Sequence, residues 1–338
     1  MEQIRLGRTG LMVSRSGFGA IPIQRIGFAE AEYLLKKAYE AGINFFDTAR
    51  GYSDSEEKIG RALSGVRDKI IIATKSPAAN RQGLLKDLET SLRNLKTDYI
   101  DVYQLHNPKE IPNPDDPEGI YAGLLEARQK GLVRFIGITN HRLPLARQAV
   151  ASGLYDTMQF PLSSLSASAD LELVADCRQH DVGFIAMKGL AGGLITKAAS
   201  TFAFLRQYDN VVPIWGIERE SELDEFIALE RNPPALDETL RQQIEKDRTE
   251  LAGSFCRGCG YCLPCPAEIP IPTAARLSFL MKRSRYQRYL ESDWQENMKR
   301  IESCLECGAC ASRCPYELDT PKLLKEQLRL YREFQAVK

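Results

Sequence analysis

Thiol groups crowd one stretch of this sequence. Eight of its nine cysteines lie between Cys256 and Cys314, and Cys177 lies outside that stretch. In a reducing compartment such crowding favours metal ligation over disulfide bonds. The eight cysteines form two regularly spaced blocks, Cys256-x₂-Cys259-x₂-Cys262-x₂-Cys265-Pro266 and Cys304-x₂-Cys307-x₂-Cys310-x₃-Cys314-Pro315.

The second block has the spacing of the bacterial run that holds [4Fe–4S] clusters, and the first block is one residue shorter before its last cysteine. Three thiolates spaced three residues apart can hold three irons of a cubane. In two-cluster ferredoxins the fourth ligand comes from the other block. The sequence therefore predicts two [4Fe–4S] clusters with crossed ligands: Cys256, Cys259, Cys262 and Cys314 for cluster 1, and Cys304, Cys307, Cys310 and Cys265 for cluster 2.

Structural zinc is the alternative reading of these cysteines. Cys₄ zinc sites usually show two C-x₂-C pairs separated by about a dozen or more residues. Two triplets, each followed by a Cys-Pro pair, fit that pattern poorly.

The residues before the cysteine blocks alternate short apolar runs with amphipathic stretches, which predicts βα units around a parallel sheet. Eight such units, at a spacing of about 30 residues, favour a (β/α)₈ TIM barrel. An open doubly wound sheet is the alternative, but no G-x-G-x-x-G turn follows the first predicted strand.

The predicted fold class is thus α/β, with a barrel followed by a small α-rich, ferredoxin-like iron–sulfur domain. We place the barrel at residues 1–232 and the dicluster [4Fe–4S] domain at 253–338. A linker helix is expected at 233–252, because apolar residues recur there at helical intervals after Pro233-Pro234.

Polar residues stand at the ends of three successive predicted strands. Asp47 and Tyr52 follow the second strand, Lys75 the third and His106 the fourth. These are carboxyl ends of strands, where barrel enzymes place their active sites. Through the motifs FFDTARGYS, ATKS, QLH and GITN that contain or follow these residues, the sequence resembles the aldo-keto reductase family. The similarity runs from about Leu6 to Ile227.

The resemblance implies an NAD(P)-dependent oxidoreductase that reduces a carbonyl, or oxidises an alcohol in reverse, with Asp47, Tyr52, Lys75 and His106 as catalytic residues. A free tyrosine, with a pKa near 10, is a poor acid–base catalyst at neutral pH. The ammonium of Lys75 would favour the phenolate of Tyr52 and so bring it towards the working range. Asp47 would hold Lys75, and His106 would orient the substrate carbonyl.

The resemblance also implies contacts to a nicotinamide cofactor. The matching positions are Thr139, Asn140, Gln159, Met187, Gly216 and Arg219. Met187 stands where the family commonly has an aromatic residue, so ring stacking would be replaced by packing against a polarizable sulfur. Glutamates flank Arg219 and would oppose a 2′-phosphate, so NAD is expected beside NADP.

The balance of charged residues indicates which kinds of partner the protein is expected to bind. Lys plus Arg and Asp plus Glu both number 45, which predicts neither a nucleic-acid nor a membrane partner. The first residues lack the apolar segment of a signal peptide, and no run of about 18 apolar residues occurs, so a cytoplasmic protein is expected. A small-molecule carbonyl or alcohol is the expected substrate.

Hydride transfer moves two electrons at once, whereas each cluster carries one. A flavin could connect the two processes, but the sequence shows no flavin motif. We therefore expect electron transfer between the clusters and either a second cofactor or a redox partner protein such as a flavoprotein or ferredoxin. Two alternatives stay open: an electron-transfer or docking subunit whose barrel performs no hydride transfer, and a reductase with purely structural clusters.

Overall fold

The computed structural model describes residues 1–251, 255–283 and 286–337, without the side chain of residue 283. The predicted boundary at 252–253 lies outside the described residues. The chain divides into two compact units. The barrel unit comprises Met1–Gly189 and Ala198–Leu240, and the cysteine-rich unit comprises Leu190–Lys197 and Arg241–Lys338.

The barrel unit contains a short hairpin and a closed barrel. The hairpin pairs β1 (Gln3–Arg5) with the antiparallel β2 (Met12–Ser14). Eight parallel strands then close in chain order. They are β3 (Gly17–Gly19), β4 (Phe45–Asp47), β5 (Ile71–Ser76), β6 (Ile100–His106), β7 (Val133–Thr139), β8 (Thr157–Pro161), β9 (Gly183–Met187) and β10 (Val211–Gly216). The predicted (β/α)₈ barrel is confirmed.

A helix follows each barrel strand, and the apolar face of each helix accounts for its place against the sheet. The helices are α1 (Phe28–Glu40), α2 (Ser55–Leu63), α3 (Arg81–Leu95), α4 (Ile120–Gln129), α5 (Leu143–Ala151), α6 (Ser168–Gln179), α7 (Ala198–Leu205) and α8 (Glu220–Arg231). In α1, for example, Leu34, Leu35 and Ala38 are buried while the intervening polar residues stay nearer the solvent.

The hairpin closes one end of the barrel. Its apolar side chains, among them Ile4, Leu6 and Val13, belong to one buried cluster with Phe45 and Val102 from the first halves of β4 and β6. The amino ends of the strands are therefore covered, and the carboxyl ends remain for a site.

The cysteine-rich unit is built from helices and turns. Its helices are α9 (Glu238–Glu250), which begins in the barrel unit, α10 (Ile271–Ala274), α11 (Leu277–Arg283), α12 (Ser292–Lys299), α13 (Ala309–Ser312) and α14 (Thr320–Val337). Buried Leu324, Leu328 and Tyr331 line one face of α14. No helix in the described part of the chain combines the length and apolar character needed to cross a membrane.

We predict that Gly60→Ala destabilises the barrel unit by about 3 kcal/mol, as overpacking does. A Cβ on Gly60 would lie 2.1 Å from the backbone oxygen of Asn94, so α2 and α3 would have to separate. Gly65→Ala is the matched control, because no atom lies within 4 Å of its added Cβ. Denaturant unfolding of both variants measures the difference. Equal stability would contradict this account of the α2–α3 packing.

Candidate active site and metal centres

The four predicted catalytic residues come from adjacent parts of the barrel. Asp47 is the last residue of β4, Lys75 lies near the end of β5, and His106 is the last residue of β6. Tyr52 lies in the turn between β4 and α2. Because β4, β5 and β6 are neighbours in the parallel barrel, their carboxyl ends bring these side chains to the same end.

A buried ion pair organises this end of the barrel. The Lys75 Nζ donates to Asp47 Oδ1 at 2.7 Å and to the backbone oxygen of Thr48 at 2.7 Å. Both side chains are almost fully buried, with 1% and 3% exposed. The amides of Gln104 and Gln159 donate to the Asp47 carboxylate at 3.3 Å each. Burial lowers the pKa of Lys75 from its ordinary value, an effect that the Asp47 carboxylate opposes.

Tyr52 and His106 lie beside this pair. The Lys75 Nζ is 5.3 Å from the centre of the Tyr52 ring. The rings of Tyr52 and His106 meet edge to face, with centroids 5.8 Å apart and an interplanar angle of 84°. Burial, and then the charge of Lys75, lower the pKa of His106 to about 3. The imidazole is therefore neutral at physiological pH and can act as a hydrogen-bond partner without carrying a charge.

Gln104 donates to Asp47 but was not among the predicted site residues. Gln104 precedes His106 by two residues on β6, and side chains two apart on a strand point to the same face. That spacing was the signal that could have identified it.

The residues matched to the nicotinamide carboxamide differ in their surroundings. The Gln159 Oε1 is buried and has no hydrogen-bond partner among the described residues, so it can accept a bond from an amide. The Thr139 hydroxyl accepts from the backbone N–H of Asn107 at 3.1 Å. Asn140 shapes a turn, because its Oδ1 accepts from the backbone N–H groups of His141 and Arg142 at 2.9 and 2.8 Å.

The other three cofactor positions lie on β9, on β10 and directly before α8. Met187 packs against the barrel core. Gly216 is exposed at the end of β10. Arg219 precedes α8, and its guanidinium donates to Glu222 Oε1 at 2.5 Å. The other carboxylate oxygen of Glu222 accepts from the backbone N–H of Arg219 at 3.1 Å. The carboxylate of Glu222 thus occupies the first turn of α8 and partly neutralises Arg219.

The cysteines surround two neighbouring cavities. The first is lined by Cys256, Cys259, Cys262 and Cys314 together with Arg257 and Tyr316. The second is lined by Cys262, Cys265, Cys304, Cys307 and Cys310. Apart from Cys262, which touches both, each cavity collects the four cysteines that the crossed pairing assigns to one cluster.

Thiolates spread around a cavity suit a polynuclear cluster. In the described part of the chain, no three His, Cys, Asp or Glu side chains are placed to hold a single metal ion. A cubane takes one cysteine on each of its irons, so thiolates distributed around a cavity are the arrangement that it needs.

Known protein families match both the barrel part and the cysteine-rich part of the chain. A model of the aldo/keto reductase family matches residues 15–210, more than half of the chain. The chain belongs to the aldo/keto reductase family. A model of the 4Fe-4S dicluster domain matches residues 255–319, so this family member also carries a C-terminal dicluster domain.

The chain is similar to two curated proteins over about half of its length. L-galactose dehydrogenase of Arabidopsis thaliana is 30% identical over 216 residues, which are 58% of this chain and 68% of the relative. Methylglyoxal reductase DkgB of Escherichia coli O157:H7 is 36% identical over 174 residues, which are 48% of this chain and 62% of the relative.

Solved structures show the same fold. The aldo-keto reductase from Klebsiella pneumoniae in complex with NADPH superposes with a TM-score of 0.63 at 21% identity. The match covers 72% of this chain and 94% of that one.

The low pKa of His106 leads to a prediction about its protonation. In the unfolded chain a histidine titrates near pH 6.5, so His106 favours the folded state fully above about pH 6.5 and progressively less as pH falls towards 3. We expect the ring C–H NMR signals of His106 to stay unchanged between pH 8 and pH 5. His106→Gln identifies those signals among the three histidines of the chain. A titration midpoint near pH 6.5 would contradict the prediction.

Proposed function

We propose that the barrel reduces a small-molecule carbonyl with NADPH or NADH, or oxidises the corresponding alcohol, and that Tyr52 is the general acid/base. The observation that carries this proposal is the constellation around the buried Lys75–Asp47 pair. A bound nicotinamide would supply the hydride to the carbonyl carbon. Tyr52 would transfer its hydroxyl proton to the carbonyl oxygen, so that the alcohol leaves and a phenolate remains.

Each neighbour of Tyr52 contributes a distinct effect. The Lys75 ammonium stabilises the phenolate that forms when the proton leaves. Asp47 keeps Lys75 in place, and neutral His106 forms a hydrogen bond that orients the carbonyl. In alcohol oxidation the same groups act in the opposite order, with the phenolate accepting the hydroxyl proton.

Both nucleotides are candidates. Binding through Gln159 is supported by its buried Oε1, which can accept from the carboxamide N–H₂. The relative in complex with NADPH favours NADP. Glu222, which engages Arg219, opposes a 2′-phosphate and favours NAD. The relatives' names, a methylglyoxal reductase and a sugar dehydrogenase, suggest small aldehydes, ketones or sugars as substrates.

We assign cluster 1 to Cys256, Cys259, Cys262 and Cys314, and cluster 2 to Cys304, Cys307, Cys310 and Cys265. The two cysteine-lined cavities support this pairing. Cys307 is exposed, so cluster 2 would be accessible to a redox partner such as a flavoprotein or ferredoxin. The clusters would pass single electrons to or from that partner or a second cofactor.

Tyr52→Phe tests the catalytic assignment. We expect the rate of carbonyl reduction to fall by about 10²- to 10⁴-fold, as loss of a general acid does, while fluorescence titration gives an unchanged nucleotide Kd. Tyr33→Phe is the control, since Tyr33 is an exposed residue of α1. Failure of the wild type to bind NADPH and NADH would instead favour the alternative of an electron-transfer or docking subunit whose barrel performs no hydride transfer.

Cysteine variants test the crossed ligands. We expect Cys265→Ala to remove the same EPR signal of the reduced protein as Cys304→Ala, although Cys265 belongs to the first block. Cys314→Ala should remove the signal that Cys256→Ala removes. Anaerobic iron and sulfide analysis should show about four fewer irons in each variant. Loss of the signal belonging to a residue's own block would refute the crossed pairing.

A further inference from the structure

The segment Leu190–Lys197, here called the β9–α7 loop, belongs to the cysteine-rich unit although both of its neighbours in sequence belong to the barrel unit. It begins three residues after Met187, at the carboxyl end of β9. Loops at the carboxyl ends of barrel strands form the ligand sites of this fold. Because the loop continues the chain directly from β9, its conformation is linked through the backbone to Met187, one of the proposed cofactor positions.

One guanidinium holds the β9–α7 loop. The Arg276 Nη1 donates to the backbone oxygen of Gly192 at 2.5 Å. The Arg276 Nε donates to the backbone oxygen of Pro272, at the start of α10, at 2.9 Å. A planar guanidinium has donors in a rigid arrangement, so it can hold two backbone segments at a set distance.

The same guanidinium packs against the first cysteine block. A Cβ on Gly258 would lie 2.8 Å from Arg276 Cζ, so the backbone of Gly258 and the guanidinium are in direct contact. Gly258 has a φ of +63° and donates its N–H to Cys256 Sγ at 3.3 Å. Arg276 therefore touches both the β9–α7 loop and the backbone that presents a cluster ligand.

Gly192 is closely packed at this junction. Its φ is +70°, and a Cβ there would lie 2.7 Å from Arg276 Nη1 and 3.2 Å from the backbone oxygen of Arg257. The adjacent Gly193 has a φ of +91° with no atom within 4 Å of an added Cβ. The two glycines thus share a left-handed backbone, but of the two only Gly192 would bring an added Cβ against the Arg276 guanidinium and the Arg257 backbone.

We propose that Arg276 is a positioning residue that makes the conformation of the β9–α7 loop depend on cluster 1. Cluster 1 orders the backbone from Cys256 to Cys262, Arg276 packs on that backbone, and Arg276 in turn holds Gly192. Nucleotide affinity is then highest when cluster 1 is present. This step rests on the proposed function only in taking a nicotinamide nucleotide as the ligand.

Gly192→Ala and Gly193→Ala provide the first test, in the full-length protein purified anaerobically. Two readouts are used: the Kd of NADPH and NADH by fluorescence, and the rate of tryptic cleavage after Lys197. For Gly192→Ala we expect a Kd raised by about 5-fold or more, the lower end of usual coupling between sites, and faster cleavage. Gly193→Ala, with similar backbone strain, should change neither. Equal behaviour of the two variants would overturn the proposal.

Arg276→Met provides the second test. We expect the KM for the nucleotide to rise by a similar factor with kcat unchanged, and Arg276→Lys to restore part of the affinity. Arg300→Met is the control, because Arg300 contacts the backbone oxygen of Glu268, in the turn that follows the cluster 2 ligand Cys265. Cys256→Ala, which removes a cluster 1 ligand, should match Arg276→Met in both readouts. Unchanged affinity and cleavage in Arg276→Met and Cys256→Ala would refute the coupling.

These experiments distinguish a barrel that binds no nucleotide from a β9–α7 loop that does not depend on Arg276. A wild-type protein that binds neither nucleotide contradicts the proposed function. Cleavage after Lys197 still reports whether Arg276 and cluster 1 order the loop.

Discussion

The buried ion pair between Lys75 and Asp47 is the interaction on which the barrel site depends. Either charge alone would be costly to bury, by several kcal/mol. The amides of Gln104 and Gln159, which donate to Asp47, add to the pair's stability. Because the two charges come from neighbouring strands, the pair forms only when the barrel closes in register. The same register places Tyr52 and His106 beside Lys75, so folding of the barrel and assembly of the site are one event.

The charge of Lys75 acts in opposite ways on its two neighbours. It disfavours the cationic form of His106, and in the proposed mechanism it would stabilise the anionic form of Tyr52. Tyr52 would then exchange a proton with substrate, while His106 stays a neutral hydrogen-bond partner. The hairpin of β1 and β2 complements this arrangement, since it fills the opposite end of the barrel with apolar side chains.

Much of this architecture could be predicted from the sequence, because hydrophobic periodicity and cysteine spacing are local signals. All eight barrel strands and the α-rich second unit follow from them. The β1–β2 hairpin could not be predicted, because Gln3–Arg5 is only three residues long. The turn formed by Asn140 and the tie between Arg276 and Gly192 depend on contacts between distant residues, which no local pattern encodes. If the proposed coupling holds, that tie would let cluster 1 influence nucleotide affinity, which would give the clusters a role in a barrel that performs hydride transfer.

We propose that the site around Lys75, Asp47 and Tyr52 lets a hydride pass directly from the nucleotide to the carbonyl carbon. The most direct measurement uses NADPH or NADH with deuterium at both C4 positions and a panel of small carbonyls headed by methylglyoxal, under anaerobic conditions. Mass spectrometry and NMR then locate the label in the product. We expect one deuterium on the new alcohol carbon for each nucleotide molecule that is oxidised. An alcohol product without deuterium would contradict direct hydride transfer, because its electrons and proton would then have arrived separately.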